Sequence, residues 1–327
     1  MVTRDDVSKL AGVSKTTVSR VLNKNGYVSE ENRKKIEEAI KELGYSPNLI
    51  ARSLKTRESK QILFYVHEIL NPFFMEVYRG MEDCCEESGY TVVLSRNFDP
   101  HKIRQRQYDG IILSHVSAEN EKEYLKLGIP AVVTDYSGKP LQIPSVGINI
   151  KAGAEEAARY LLDNGHRKIA FITRSKDLED QRFSGFCSSL EKAGIDTKTA
   201  MIGYAAQKDN GLASGYNAAK QLINNAGVFT AVFAFNDTMA IGALSAFQEK
   251  AIRVPQAVSV IGFDDILQAG FSTPKLTTVR LPKYEQGYES ARLLINMMQG
   301  KTADSLVLGT ELIIRDSVNK VFPGKAT

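Results

Sequence analysis

The chain has 327 residues, 43% of them hydrophobic, and a formal net charge of +4, which suits a globular protein with a sizeable core and room for two or three domains. No N-terminal apolar run stands as a signal peptide and no stretch is long and apolar enough to span a bilayer. Cys84, Cys85 and Cys187 form neither a disulfide framework nor a zinc spacing. These features argue against a secreted receptor and a membrane protein, and fit a reducing cytoplasm. The charge is uneven: through Lys60 there are 13 Lys and Arg against 8 Asp and Glu, net +5, leaving −1 for the rest. A basic front end joined to a nearly neutral body is the electrostatic footprint of a DNA-binding module.

The first predicted helix starts at Arg4, capped by Thr3 with Asp6 in its first turn, and Val7, Leu10 and Ala11 make its buried stripe. Gly12-Val13 supplies a turn, and Ser14 caps a second helix through SKTTVSRVLN. There Val18, Val21 and Leu22 face inward, leaving Lys15, Thr16, Ser19 and Arg20 outward. Arg and Lys match guanine O6/N7 and the Thr methyl suits thymine. The same spacing also fits a solvated amphipathic helix in a small bundle. A third helix runs from a Ser29 cap, with Arg33, Ile36, Ile40 and Leu43 at helical spacing, and stops at Gly44.

TRDDVSKLAGVSKTTVSRVLN, YVSEENRKKI, LGYSPN and ARSLK resemble, nearly motif for motif, the DNA-binding headpiece of the lactose/galactose repressor (LacI/GalR) family. With the later segments the resemblance covers almost the whole chain. It implies an all-α helix-turn-helix headpiece over 1–46, a hinge helix and linker over 47–60, and a two-lobed, periplasmic-binding-protein-like α/β body of doubly wound parallel sheets over 61–327. On matching positions, DNA contacts fall to Lys15, Thr16, Thr17, Ser19, Arg20 and Asn23, and in the hinge to Asn48, Ala51, Leu54 and Lys55. Arg20 is the expected base reader, with Lys15 and Thr16 setting sequence preference.

The hinge is polar and basic, with Pro47 able to open a helix from about Asn48 to Lys55. At under three turns it is shorter than the roughly 12–15 residues at which an isolated helix becomes marginal in water, so it needs a partner to fold and is otherwise a flexible linker. The resemblance supplies one: the minor groove and the same segment of a second subunit, with Leu54 as the wedge between base pairs.

From Ile62 apolar runs alternate with amphipathic helices, the pattern of a parallel α/β sheet. Strands are expected at ILFYV, TVVLS, GIILS, AVVTD, SVGIN, KIAFIT, AMIGY, AVFAFN, VSVIGF, TTVRL and ELIIRD. Helices are expected over 73–88, 151–164, 179–193, 212–225, 238–250 and 284–298. Between Arg96 and Asp109, NFDPHKIRQRQY leaves room for one or two helical turns where the family has a full helix, near the minimum for a parallel crossover. That helix often serves the family's dimer contact, so an altered or smaller subunit interface is expected.

Ligands of such folds sit outside the carboxyl ends of strands. Asn71, Phe73 and Phe74 follow the first strand, Arg182 opens a helix, Asn236 ends AVFAF and Asp264 ends VSVIGF, and for Arg182 and Asp264 a structural ion pair is the alternative to a ligand contact. All resemble positions lining the family's inter-lobe cleft, as does Asn149, where many relatives carry aspartate. Leu281 likewise replaces a glutamine. Asp237 reads as the cap of the following helix and Asp265 likewise, while Phe73 and Phe74 fit cleft or core equally. An arginine fork, carboxylates and an aromatic face suit a sugar or polyol. The chain thus reads as a cytoplasmic transcription factor, a repressor binding palindromic double-stranded operator DNA as a homodimer under control of a small sugar-like effector, with no cofactor and no metal. The alternatives are the same role with a nucleobase or protein coregulator and, more remotely, a transport receptor or an α/β enzyme. For an enzyme there is no P-loop, G-x-G-x-x-G or HExxH, and the four histidines are scattered.

Overall fold

The computed structural model describes residues 2–22, 25–45, 58–66, 69, 71–105, 107–117, 120–134, 141–173, 180–197, 202–204, 211–225 and 228–321. Asn23, Asn48, Ala51, Leu54 and Lys55 lie outside these residues. The chain divides into two units, Met1–Ser59 and Lys60–Thr327.

In the first unit, α1 (Arg4–Ala11) begins where the Asp6 carboxylate accepts hydrogen bonds from Thr3 N at 2.8 Å and Thr3 Oγ1 at 2.7 Å. These bonds hold Asp6 below the usual carboxylate range. Gly12 closes the helix at φ 65°, in the left-handed region that favours glycine. For α2 (Lys15–Leu22), Ser14 Oγ accepts from Thr17 N at 3.1 Å. In α3 (Glu30–Leu43), Ser29 Oγ accepts from Asn32 N at 3.4 Å, and Gly44 ends the helix at φ 58°. The three pack around Val7, Ala11, Val18, Val21, Ile36 and Ala39. Leu10, expected in the buried stripe, is 46% exposed. On a two-turn helix the Val7–Ala11 pair already covers the contact, and Ser8 is buried where a third apolar residue was sought.

The second unit holds two lobes. One has a parallel four-stranded sheet ordered β2-β1-β3-β4, from β1 (Gln61–Tyr65), β2 (Thr91–Ser95), β3 (Gly110–Leu113) and β4 (Ala131–Val133). A parallel bridge from Val133 to Ser145 leads to β5 (Val146–Ile148), which pairs with β11 (Leu306–Leu308). Along β1 the side chains alternate. Ile62 and Phe64 face α4 (Pro72–Glu87) and α11 (Lys283–Met298), whereas Leu63 faces α5 (Pro100–Arg104) and α6 (Glu121–Leu125). The short crossover expected from NFDPHKIRQRQY is α5, a single short helix whose Asp99 cap accepts from His101 N at 3.0 Å.

The other lobe is a six-stranded sheet, β12-β10-β9-β8-β6-β7. Its strands are β6 (Ile169–Thr173), β7 (Ile202–Tyr204), β8 (Ala231–Ala234), β9 (Ser259–Asp264), β10 (Thr277–Arg280) and β12 (Glu311–Ile313). All pairings are parallel except β10 with β12. On one face α7 (Ile150–Asp163) and α8 (Gln181–Lys192) cover Phe171, Phe233 and Phe263. On the other, α9 (Leu212–Asn224) and α10 (Asp237–Glu249) cover Ile172, Val232 and Val260. Each fully buried phenylalanine contributes on the order of 1.5–3 kcal/mol by leaving water. The chain passes between lobes after β5, before α11 and between β11 and β12, so the segments flanking Asn149, Leu281 and Thr310 join the two sheets.

Candidate functional site

On α2 the outward set is as expected for three residues: Lys15, Thr16 and Arg20 are exposed. Ser19 is half-buried. The Arg20 stem lies against Gly26, where an added Cβ would sit 3.5 Å from Arg20 Cδ. The Lys15 ammonium meets the Asp5 carboxylate in an exposed pair, an interaction worth about 0–1 kcal/mol that a phosphate or a base edge can displace. Thr17 is half-buried and its hydroxyl is 2.8 Å from Ser14 Oγ, so it serves the start of the helix.

In the second unit the residues marked for a cleft fall into two groups. Asn71, Asn149 and Asn236 are all N-caps. Their Oδ1 atoms accept from Phe73 N at 3.0 Å, Ala152 N at 3.2 Å and Met239 N at 2.8 Å. Asn149 is exposed, and its main-chain N–H donates to Leu308 O, tying together two of the lobe crossings. Phe73 and Phe74 meet edge to face, 5.2 Å between centroids, and Phe73 packs against the cores of both lobes. The junction position is thereby explained: Phe73 is core and lobe contact at once.

Arg182 and Asp264 form the second group. Asp180 caps α8 by accepting from Arg182 N at 2.9 Å and Phe183 N at 3.4 Å, which fixes where the arginine leaves the helix. Its guanidinium stands 4.4 Å over the Phe235 ring and 4.8 Å from that of Phe263, and Nη2 lies 3.3 Å from Asp264 Oδ1. The side chains are 18% and 5% exposed, so the attraction is little screened. Arg182 Nε is buried with no hydrogen-bond partner among the described residues. Asp264 reaches this place through a main chain at φ 111°, followed by Asp265 at φ 52°, two consecutive left-handed non-glycine residues of the kind that gather at functional sites.

Two neighbouring carboxyls differ from their expected roles. Asp237 does not cap α10, since Asn236 does. It is fully buried, with Oδ2 accepting from Ile266 N at 2.9 Å and Oδ1 2.5 Å from Thr278 Oγ1. Burial first, then the charge of Asp264, pushes its pKa well above its ordinary value of 3.8. A Cβ at Gly262 would collide with Asp237 Oδ1, so glycine is required there. Asp265 is no cap either: it is gripped by Arg315 Nη2 at 2.6 Å and Arg280 Nε at 2.7 Å. Burial acts to raise its pKa, but the two arginines outweigh it and hold the group below its ordinary value. Leu281 is 2% exposed and belongs to the core under α7 and α8.

A separate hollow of about 850 Å³ is lined by residues including Glu76, Arg79, Asp265, Phe271, Arg280 and Glu311. Of the expected cleft positions it takes in Leu281 but not Asn71, Phe73, Phe74, Asn149, Arg182, Asn236 or Asp264, and its central charges are already engaged with one another. The free donor lies instead at Arg182. His166 is structural: 1% exposed, Nδ1 2.9 Å from Thr230 Oγ1 and Nε2 3.0 Å from Asn319 O, with burial lowering its pKa. No group of three metal-ligating side chains occurs among the described residues, and no helix there is long and apolar enough to cross a membrane.

Two polar residues at the start of α11 had no counterpart among the residues singled out by sequence, Lys283 and Gln286, 5% and 2% exposed. The available signal was a lysine and a glutamine one turn apart in the buried stripe of an amphipathic helix.

Residues 3–48 match the family model for bacterial regulatory proteins of the lacI family, and residues 158–318 match the periplasmic binding protein-like domain. The chain is 34% identical to the HTH-type transcriptional repressor PurR of Photobacterium profundum, over 97% of this chain and 99% of the relative. The chain belongs to the LacI family. Another LacI-family relative, the ribose operon repressor of Escherichia coli, is 36% identical over 92% of this chain and 94% of its own length. The lac repressor dimer bound to operator and the anti-inducer ONPF superimposes with a TM-score of 0.84 at 26% identity, covering 97% of this chain and 99% of that one. Like these LacI-family relatives, the chain is a DNA-binding transcriptional repressor built from a helix-turn-helix unit and an α/β body of parallel sheets.

Proposed function

We propose that this repressor binds a palindromic operator as a homodimer in the cytoplasm, and that a small sugar or polyol held at Arg182 and Asp264 controls it. The observation that carries the ligand assignment is the Arg182 guanidinium. It is fixed by two aromatic rings and a buried carboxylate, with one buried N–H left without a partner among the described residues. A buried donor without an acceptor is costly. A ligand hydroxyl accepts from Nε and donates to Asp264, while the phenylalanine faces cover ring C–H groups. The ribose operon repressor, by its name, points to the same ligand class. On the DNA side, Arg20 and Lys15 read base edges and two-fold symmetry demands matching half-sites. Leu54, placed by sequence alone, is the wedge whose insertion depends on the spacing of two hinges. The effector acts by binding one lobe arrangement more tightly than the other.

The test pairs a thermal-shift screen of sugars, sugar phosphates and purines with binding to duplex from the region beside the gene. A ligand at 100 times its dissociation constant stabilises by about 2.7 kcal/mol. Arg182→Ala is expected to abolish the shift while retaining duplex binding without effector. A response equal to wild type would place the ligand elsewhere, and a shift with purines alone would replace the sugar by a nucleobase.

A further inference from the structure

Asp264 is held on its main-chain side as well as through its carboxylate. Lys283 Nζ donates to Asp264 O at 2.6 Å and to Asp265 O at 2.9 Å, the carbonyls of the two residues with positive φ. One turn further on, Gln286 Nε2 donates to Thr134 O and, at 3.0 Å, to Val146 O. Asp264 ends β9 and Asp265 follows it in one lobe, whereas Thr134 follows β4 and Val146 begins β5 in the other. Residues three apart share a helix face, so the first turn of α11 grips the strand ends of both lobes with adjacent side chains.

The placement of Lys283 runs against two general preferences. It is the first residue of α11, where the helix dipole disfavours a cation, and it is 5% exposed, where an ammonium loses most of its hydration. A lysine so placed is retained for what its donors hold. Behind it the helix has no slack. An added Cβ at Gly287 would run into the Val77 carbonyl, and one at Gly80 into that of Tyr284, so α11 lies backbone to backbone on α4. Both sheet ends are therefore attached to one rigid rod.

We propose that Lys283 and Gln286 form an inter-lobe clasp that holds Asp264 in place to meet Arg182 and passes the state of that pair to the opposite sheet. Lys283 is a positioning residue: it touches main-chain carbonyls, not the ligand. The proposal deepens the ligand assignment at Arg182 and rests on it for its regulatory meaning, but the mechanical coupling is testable without any ligand. Coupling of this kind is reciprocal. Loosening the Lys283 jaw is felt at Val146, and loosening the Gln286 jaw is felt at Asp264.

The experiment is amide hydrogen exchange on the full chain for wild type, Lys283→Met, Lys283→Arg, Gln286→Met and the double variant. Lys283→Met is expected to speed exchange about tenfold at 264–266 and also at 145–148. Gln286→Met is expected to do so at 264–266 as well as at 145–148, with the double variant no faster than the more affected single one. Lys283→Arg, which keeps donors and charge, is expected to restore protection in part. Changes confined to each variant's own lobe, or increments that multiply independently, would overturn the clasp. If Lys283→Met does not fold, exchange at 264–266 in Gln286→Met decides the question alone. A parallel thermal-shift arm uses ribose and hypoxanthine as probes, and Lys283→Met is expected to weaken the response of whichever shifts wild type by about tenfold. If neither probe shifts wild type, the exchange result still decides the clasp, while the ligand class is decided by the full screen of sugars, sugar phosphates and purines.

Discussion

Asp237 sits where a carboxylate has no water to face, between the Ile266 N–H and the Thr278 hydroxyl and beside the charge of Asp264. The Ile266 N–H donates to one carboxyl oxygen and the Thr278 hydroxyl to the other. An asparagine oxygen still accepts from the Ile266 N–H, its amide N–H can donate to a reoriented Thr278 hydroxyl and it never ionises, so Asp237→Asn is expected to match or exceed wild-type stability at pH 7, while Asp237→Ala leaves the Ile266 N–H unmet and costs about 1–3 kcal/mol. The pH dependence follows from the direction of the shift. As pH rises above the ordinary carboxylate value of 3.8, the unfolded chain gives up a proton that the folded chain keeps. Stability declines until the folded group itself ionises. Denaturant titrations at pH 5 and pH 7.5 should show wild type losing stability relative to Asp237→Asn, and a constant difference would mean that the folded carboxyl is ionised at both. Asn236-Asp237 shows the limit of local reading, since either residue can cap a helix. What decides between them is Thr278, 41 residues away. Arg182 was singled out by its place beyond the carboxyl end of an apolar strand and by the family resemblance, not by any local pattern of its own. The left-handed turn that delivers Asp264 left no sequence signal, since neither residue is glycine.

The helices of the body were legible as elements because their apolar residues recur at helical spacing, and α4, α7, α9, α10 and α11 start and end within about two residues of expectation, the usual uncertainty of an end. Besides the short 3-10 turn at Leu267–Gly270, two elements went unread for physical reasons. The β11 side chains are exposed or half-exposed, so no alternation marks it, and α6 is a five-residue helix whose Glu121 is buried to accept from Gln142 N at 2.5 Å and Ile143 N at 2.9 Å. Equally hidden was how elements meet. Gly80 and Gly287 are about 200 positions apart, yet each fits against a carbonyl of the other's helix. Gly80→Ala and Gly287→Ala are each expected to destabilise by about 1–3 kcal/mol through overpacking, despite the better helix propensity of alanine. Gly270, with nothing near its Cβ position, is the control, and Gly270→Ala is expected to stay within about 0.5 kcal/mol. Thermal melting of the three variants checks the set, and equal melting points would mean that the helices can separate at no cost.

At the scale of the molecule the charge division matters more than any single contact. The first 60 residues carry net +5 and the remaining 267 carry −1. DNA affinity and ligand affinity should therefore respond differently to salt. Each phosphate neutralised adds about 0.9 to the slope of log affinity against log salt concentration. If the headpieces make on the order of 6–10 such contacts, as the proposed dimer would, affinity falls by about 10³–10⁵ between 50 and 200 mM salt. The Arg182–Asp264 pair is buried, so ligand binding there is screened far less and should change little over that range. Lys15→Ala is expected to cost about 1–3 kcal/mol on the preferred duplex and to relax sequence preference at the base it reads, and to leave the ligand-induced thermal shift unchanged. Fluorescence anisotropy on a labelled duplex, run beside the thermal-shift assay in the same buffers, measures both. A flat DNA titration would remove the basic headpiece as the source of affinity, and a ligand response falling in parallel with DNA binding would put the ligand on a charged surface instead of between buried side chains.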